Sequence, residues 1–472
     1  MVYQWLNHVI EGMKRNMARS TVRDLTHGSP MKLVISFTLP LLFGFLFQQL
    51  YSFVDAAIVG RYLGADALAS VGSTGSINFL ILGFCMGICS GFSIPIAQAF
   101  GAGDEEELRC LVANAVYAAG AIGVVLGVAT TLMCPWLLMV MNTPEEILAG
   151  AISYIQPLFA AIPITVMYNI CGGILRSLGD SKTPVFFLAM AALINIALDM
   201  VFILVFHMGV FGAALATIIS QLASCIGCVI VMKTRFPILK LSPDNLRLRP
   251  RLIRQLLGMG LPMGLQYSIT AIGAVVIQTA INGLGTVAVA AVTAASKLSA
   301  FFACVIDALA TTMATFAGQN IGARKIDRVH QGLWAASIVG SIYCVLAFLV
   351  ALFFGPALIG LFVDAPEAEV IRLAHRYLSI NAALYVPLLF VNIVRFSIQG
   401  LGFTRVAMIA GVMEMIARSL VAVVVVPLIG FTGACFANPA AWLMADAFLF
   451  PCYFRVTKRL ALQMRKDETH AA

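Results

Sequence analysis

The sequence predicts an all-α, polytopic membrane protein. It should have twelve transmembrane helices in two six-helix bundles related by a pseudo-two-fold axis along the membrane normal. Three observations predict this. Of 472 residues, 61% are hydrophobic and 11% charged, and mean hydropathy is +0.95, too little charge to cover a soluble domain of this length. The apolar residues fall in runs longer than the ~20 residues that cross a bilayer. The second half of the chain also repeats landmarks of the first.

The runs place spans at 33–60, 66–100, 109–140, 146–176, 182–207, 210–232, 251–284, 286–320, 327–362, 368–400, 405–428 and 431–456. Several exceed the minimum length, so tilt and extension beyond the bilayer are expected. With the N-terminus cytoplasmic, the inside segments hold about 24 of the 30 basic residues. These include Lys14, Arg15, Arg19, Arg23 and Lys32, then Lys233 to Arg254, then Arg324, Lys325 and Arg328, and finally Arg455 to Lys466. The outside has Arg61, Arg372 and Arg376. The bias predicts a multi-pass protein of the inner, or cell, membrane with both termini cytoplasmic.

The first thirty residues lack the continuous apolar core of a cleavable signal. Trp5, Leu6, Val9, Ile10 and Met13 repeat at helical spacing before Lys14, Arg15 and Arg19, which fits a short helix on the inner membrane surface. An ordinary frayed terminus fits equally. The net charge of +8 does not point to nucleic acid, because the basic residues fall between the apolar runs. Eleven cysteines lie mostly inside those runs, with no matched CxxC pairs, so neither a metal site nor a disulfide framework is indicated.

The longest polar connection, from Lys233 to Arg254, carries three prolines and many charges, as a linker does. It divides the chain into a cytoplasmic segment 1–32, an N-terminal lobe 33–232, a linker 233–250, a C-terminal lobe 251–458 and a cytoplasmic tail 459–472. The halves correspond position by position. Leu39-Pro40 matches Leu261-Pro262, and Leu63-Gly64 matches Leu284-Gly285. Gln98 to Ala102 matches Gln319 to Ala323, Leu178-Gly179 matches Leu401-Gly402, and Gly212-Ala213 matches Gly433-Ala434. Every offset is 221 to 223 residues. Six spans per half give both copies one orientation and leave a central cleft between them, the architecture of rocking, alternating access.

Ionisable residues inside the spans are costly and point to function. The candidates are Asp55, Asp199, Lys297, Asp307, Arg395, Glu414, Arg418 and Asp446. Asp55 lies roughly 8 Å, Asp199 roughly 12 Å and Thr217 roughly 10 Å from the outer ends of their spans at 1.5 Å per residue. Asn195 stands one turn from Asp199 on the same helix face. Two carboxylates close together in low dielectric do not both stay ionised cheaply, so the group suits loading and release of a proton. Its oxygens equally suit sodium, and hydrogen bonding between helices is the purely structural alternative. The second half does not repeat the group: its equivalents fall near Ile277, Ala422, Arg418 and Asn438.

Glu414 and Arg418 form an i,i+4 pair expected to neutralise itself. Lys297 and Asp307 are too far apart for a bond along one helix, and either would line the cleft. Nothing in the sequence names a partner for Asp446. Gln48, Gln49, Tyr51, Gln266, Tyr267 and Gln278, on the two opening spans, are further cavity candidates. No histidine falls where a buried relay or metal site needs one. There is no GxxxxGK[ST] loop, so ATP is not the direct energy source, and no cofactor is expected.

These residues resemble the multidrug and toxic compound extrusion (MATE) family over about residues 30 to 458. The segments that carry the resemblance are LPLLFGFLFQQLYSFVDAAIVGRYLGADALASVG from Leu39, AFGAGD from Ala99, GILRSLGDSKTP from Gly173, GQNIGARK from Gly318 and QGLGFTR from Gln399. The resemblance implies antiport of cationic or amphipathic organic compounds against protons or sodium. It also implies a cation site at Asp55, Asn195, Asp199 and Thr217, with the Ala213 carbonyl as a further ligand. The sodium-coupled branch known for acids in the second lobe has a Glu eight residues after the Leu-Pro proline of its seventh helix. Thr270 stands there in this chain, which looks nearer the branch of DNA-damage-inducible protein F. The expectation is a monomeric, cation-coupled exporter of small organic compounds and not an enzyme. A lipid-linked sugar or lipid flippase of the same superfamily, with a more basic cavity, is the alternative.

Overall fold

The computed structural model describes residues 23–141, 143–361 and 368–471, and among them there is no β-strand. The surface helix expected between Trp5 and Arg19 lies outside the described residues. In the first half, α1 (Pro30–Leu63), α2 (Ala65–Ser73) continuing into α3 (Gly75–Ala102), and α4 (Glu105–Val140) make three passes. The pair α5 (Glu145–Ala160) and α6 (Ile162–Ser177), then α7 (Lys182–Met200) and α8 (Gly209–Arg235), complete six. The second half repeats the plan with α9 (Pro250–Asn282), α10 (Thr286–Gly322) and α11 (Ile326–Gly360). It continues with the pair α12 (Ala368–Ala383) and α13 (Tyr385–Gly400), then α14 (Thr404–Leu420) leading to α15 (Val426–Ile429), and α16 (Phe431–Ala471).

Among the described residues, nine passes are long and apolar enough to cross a membrane unaided, and the two pairs add one each. The twelfth is α16, in which Asn438, Asp446 and two prolines dilute the apolar run. With twelve passes, both chain ends lie on one side, the terminal face, and the opposite side is the far face. The fold is thus the expected two bundles of six.

The sequence repeat becomes a structural one in detail. Both α5–α6 and α12–α13 bend by 51°, at Ala161 and at Leu384. Pro163 and Pro387 follow those breaks, and a proline removes the N–H that would carry the helix across. α7 runs into a π-helical turn, Val201–Val205, and α14 into another, Val421–Val425. Such turns carry an extra residue and gather at functional sites. The turn after α3 uses Gly103 at φ 73°, whereas the matching turn after α10 places Arg324 at φ 57°, a conformation that side chains rarely adopt. α4 starts cleanly because Asp104 accepts from the Glu107 N–H at 2.8 Å and three glutamates follow in the first turn.

The bundles meet along α3, α9 and α10 in the half of the molecule nearer the terminal face. Small residues permit it: a Cβ added at Gly91 would stand 2.5 Å from Gly260 Cα, and one at Gly87 2.6 Å from the Met263 carbonyl. Closest to the terminal face the contact is reciprocal. Gly101 packs on the Gln319 backbone, and Gly322 packs on the Gln98 backbone. Gln98 Nε2 donates to the Gly400 carbonyl at 2.9 Å, and Gln319 Nε2 donates to the Ser177 carbonyl at 2.8 Å. The pseudo-two-fold axis therefore passes between the two glutamines.

The chain just before α1 closes this face further. The Leu25 N–H donates to Gln319 Oε1 at 2.9 Å, Asn320 Nδ2 to the Leu25 carbonyl at 3.2 Å, and Lys325 Nζ to the Thr26 carbonyl at 3.0 Å. The side-chain hydrogen bonds described between the bundles all lie at the level of Thr38 and Thr312, 2.8 Å apart, or nearer the terminal face. The structure is therefore closed at the terminal face, with its cleft open toward the far face.

Candidate functional site

Helices α1, α7 and α8 bring the proposed cation ligands together near the far face. The Asp55 and Asp199 carboxyl groups meet at hydrogen-bonding range. Asn195 stands one turn from Asp199, and both are fully buried. Asn195 Nδ2 donates to Thr217 Oγ1 at 3.2 Å, and Thr217 Oγ1 donates to the Ala213 carbonyl at 3.1 Å. Asp55 Oδ1, Asn195 Oδ1 and both Asp199 oxygens are buried without a hydrogen-bond donor. Four orphaned acceptor oxygens in one pocket are what a bound cation or an added proton would satisfy.

Around them Ile58, Val59, Ile203 and Ala213 form an apolar cluster that Val54, Ile196 and Met200 extend. The π-helical turn starts two residues after Asp199, so the backbone leaves regular geometry beside the ligands. Two tyrosines complete the pocket. Tyr51, a cavity candidate, has its hydroxyl 3.3 Å from Thr217 Oγ1. Tyr154, from α5, packs against the same cluster close to both carboxyls. Sequence reading missed Tyr154 because nothing local marks one tyrosine in an apolar run.

The cleft between the bundles holds a cavity of about 320 Å³. Gln48, Tyr51 and Tyr267 line it, whereas Gln49, Gln266, Gln278, Lys297 and Asp307 lie outside its lining. Gln266 is buried, and its Oε1 accepts from Gln399 Nε2 at 2.7 Å. Gln278 Nε2 bonds Asn282 Oδ1 at 2.9 Å on the exposed part of α9. Asp307 stands one turn toward the far face from Thr311, which does line the cavity, so it lies deep in the cleft just beyond the cavity lining. Lys297 is exposed, and no ion pair joins it to Asp307.

Most of the wall belongs to the first bundle, and there the structure adds a residue absent from the expected set. Arg176, near the end of α6, lines the cavity. It escaped notice because its place at the end of an apolar run resembles an ordinary flanking charge.

In the second bundle the acids do not gather as they do in the first. Glu414 is held by Arg395 through a close ion pair and by Arg418 at 3.2 Å, and all three are buried. Arg418 Nε also donates to Asn438 Oδ1 at 3.2 Å. The expected Glu414–Arg418 pair is present, but its main partner comes from another helix. Asp446 is buried, and Arg395 is the charge that acts on it. Among the described residues, no group of three or more His, Cys, Asp or Glu side chains forms a metal site.

Two matched bundles sealed at one face, a central cavity open to the other, and a buried carboxyl pair beside it define a multi-pass transport protein. The chain belongs to the MatE family, the multidrug and toxic compound extrusion transporters: the family model matches it twice, over residues 40–201 and 262–425. It is 32% identical over 367 residues to the probable multidrug resistance protein YoeA of Bacillus subtilis, covering 75% of this chain and 78% of that one. It is 26% identical over 423 residues to DNA damage-inducible protein F of Escherichia coli, covering 87% and 88%. Among solved structures, the outward-facing conformation of a multidrug resistance MATE family transporter of the MOP superfamily superposes with a TM-score of 0.86. That likeness, at 22% identity over 94% of this chain and 99% of the other, shows a shared fold.

Proposed function

We propose that this protein exports small cationic or amphipathic organic compounds by exchanging them for a proton or a sodium ion at Asp55, Asn195, Asp199, Thr217 and the Ala213 carbonyl. The observation that carries the reading is the pair of facing carboxyls whose buried oxygens lack donors. Left charged and empty, the pair repels itself in a medium of low dielectric. A proton shared between the groups, or a sodium ion held by four oxygens, removes that repulsion.

Tyr51 links the ion to the cargo. Its hydroxyl reaches Thr217, and its side chain also lines the cavity. An ion entering the pocket therefore reorders the cavity wall, and cargo and ion compete for the first bundle. The terminal face is cytoplasmic in this reading, in accord with its excess of Lys and Arg, and the open cleft faces outward. The lobes are residues 33–232 and 251–458, joined by the linker 233–250. The unit of transport is one chain.

Replacing Asp55 or Asp199 by Asn tests the reading by ethidium or norfloxacin efflux from cells. Each change should abolish energised efflux while leaving expression intact. Coupled efflux at the wild-type rate in both variants would remove the carboxyls from the mechanism.

A further inference from the structure

We propose that Arg176 is an anion anchor in the central cavity, so that the preferred cargo is an amphipathic compound carrying a carboxylate or phosphate. This rests on the cavity being the cargo site. Among the described residues, Arg176 is the one lining side chain with a formal charge, and no ion pair or hydrogen bond engages it. An arginine left without a counter-charge inside a membrane bundle is costly, and a function is the usual reason to keep it.

The position of the guanidinium argues against a flanking charge reaching for water. Arg176 is the penultimate residue of α6, and a snorkelling side chain there would extend beyond the helix end. Instead it folds back one turn along its own helix. A Cβ added at Gly172 would stand 3.3 Å from Arg176 Nη1, so the missing side chain at Gly172 leaves the guanidinium room to turn inward. The nearby acid is occupied elsewhere. Asp180 Oδ1 accepts from the Lys182 and Thr183 N–H groups at 2.9 and 3.0 Å, and its Oδ2 from Thr183 Oγ1 at 2.5 Å, which holds the start of α7.

Around Arg176 stand neutral groups. Tyr168 from α6 and Tyr267 from α9 are its near polar neighbours. Both line the cavity, as do Asn169 and Gln221. The guanidinium presents a planar set of donors suited to the two oxygens of a carboxylate or to a phosphate. The Asp55–Asp199 pocket lies toward the far face, about 25 Å along α7 from its start at 1.5 Å per residue, whereas Arg176 sits at the terminal-face end. Positive and negative ends at opposite depths favour a zwitterion with its acid group inward.

The test uses two dyes that differ in one group: rhodamine 110, with a free carboxylate, and rhodamine 123, its methyl ester. Fluorescence anisotropy measures binding to the purified full-length protein in phosphatidylcholine nanodiscs. Wild type should bind the acid about tenfold or more tightly than the ester, the difference expected of one charge-assisted contact. Arg176→Gln should remove that preference, weakening the acid about tenfold while the cationic ester, relieved of a like charge, binds no more weakly than to wild type. Arg176→Lys should keep part of the preference. Equal affinity of wild type for both dyes overturns the anchor but leaves the cavity as a drug site. Binding of neither dye overturns the cargo reading as well. A matched loss of both dyes in Arg176→Gln assigns the residue a structural role and also overturns the anchor. Repeating the titration with phosphatidylglycerol discs separates the sources of the anion. Weaker acid binding in wild type alone means that a lipid headgroup occupies the same anchor, and unchanged binding means that free organic anions are its ligands.

Discussion

Replacing Gln319 by Ala should shift the transporter out of the state described above. Gln319 is fully buried where the bundles meet, accepts from the Leu25 N–H at 2.9 Å and donates to the Ser177 carbonyl at 2.8 Å. The variant orphans both backbone groups, at about 1–3 kcal/mol each when buried. Partial access of water at this face argues for the lower part of the range, or about 3 kcal/mol in total. The penalty falls only on the closed terminal face, because in the opposite state both groups meet water. A difference of that size moves the equilibrium by about two orders of magnitude toward terminal-face opening.

Gln98 makes the one matching bond, to the Gly400 carbonyl, and is half-buried. Gln98→Ala should move the equilibrium by about tenfold. Electron spin distances between labels at Arg61→Cys and Thr286→Cys, both exposed near the far face, report the change. Ten native cysteines are buried, and Cys452→Ser removes the half-exposed one. Wild type should give the longer distance, and Gln319→Ala should populate a shorter one more than Gln98→Ala does. An unchanged distribution in Gln319→Ala, or the reverse order of the two variants, would refute the argument.

Further outcomes follow from the same packing. Glu414→Ala leaves Arg395 and Arg418 buried without their carboxylate and should cost about 3–5 kcal/mol of stability, seen as a clear fall in melting temperature in detergent. Gly101→Val puts a side chain into the Gln319 backbone and should prevent terminal-face closure, so that efflux is lost while the second bundle's melting is unchanged. Thr217→Ala removes the hydroxyl shared by Asn195 and Tyr51 and should weaken ion-driven efflux more than dye binding, measured side by side.

Much of this architecture is legible in the residues. Apolar runs place eleven of the spans within a few residues, because each helix must satisfy its backbone internally and span one thickness, whereas α16 continues past the expected end at 456 to Ala471. The repeat is legible because its landmarks are turn glycines and interface residues, which two-fold geometry uses twice. Gln98 and Gln319 are the clearest case: one offset in sequence, one reciprocal lock in space. Asp55, Asn195 and Asp199 stand out since polar groups at that depth are costly.

Other features leave no local trace. Arg395 and Glu414 are on different helices, so no spacing announces their pairing. The π-helical turns at Val201–Val205 and Val421–Val425 consist of ordinary apolar residues. The 51° bends have a visible cause in Pro163 and Pro387, yet hydropathy reads straight through them. Arg176 is hidden by its position in the chain and revealed only by the direction of its side chain.

The most direct measurement is dye movement in proteoliposomes under an imposed proton gradient or an imposed sodium gradient, each alone. One of the two should drive uphill transport in the wild-type protein, and Asp55→Asn and Asp199→Asn should each abolish the response while still binding dye. Uphill transport that persists in both variants, or a wild-type protein indifferent to both gradients, would contradict ion exchange at the facing carboxyls.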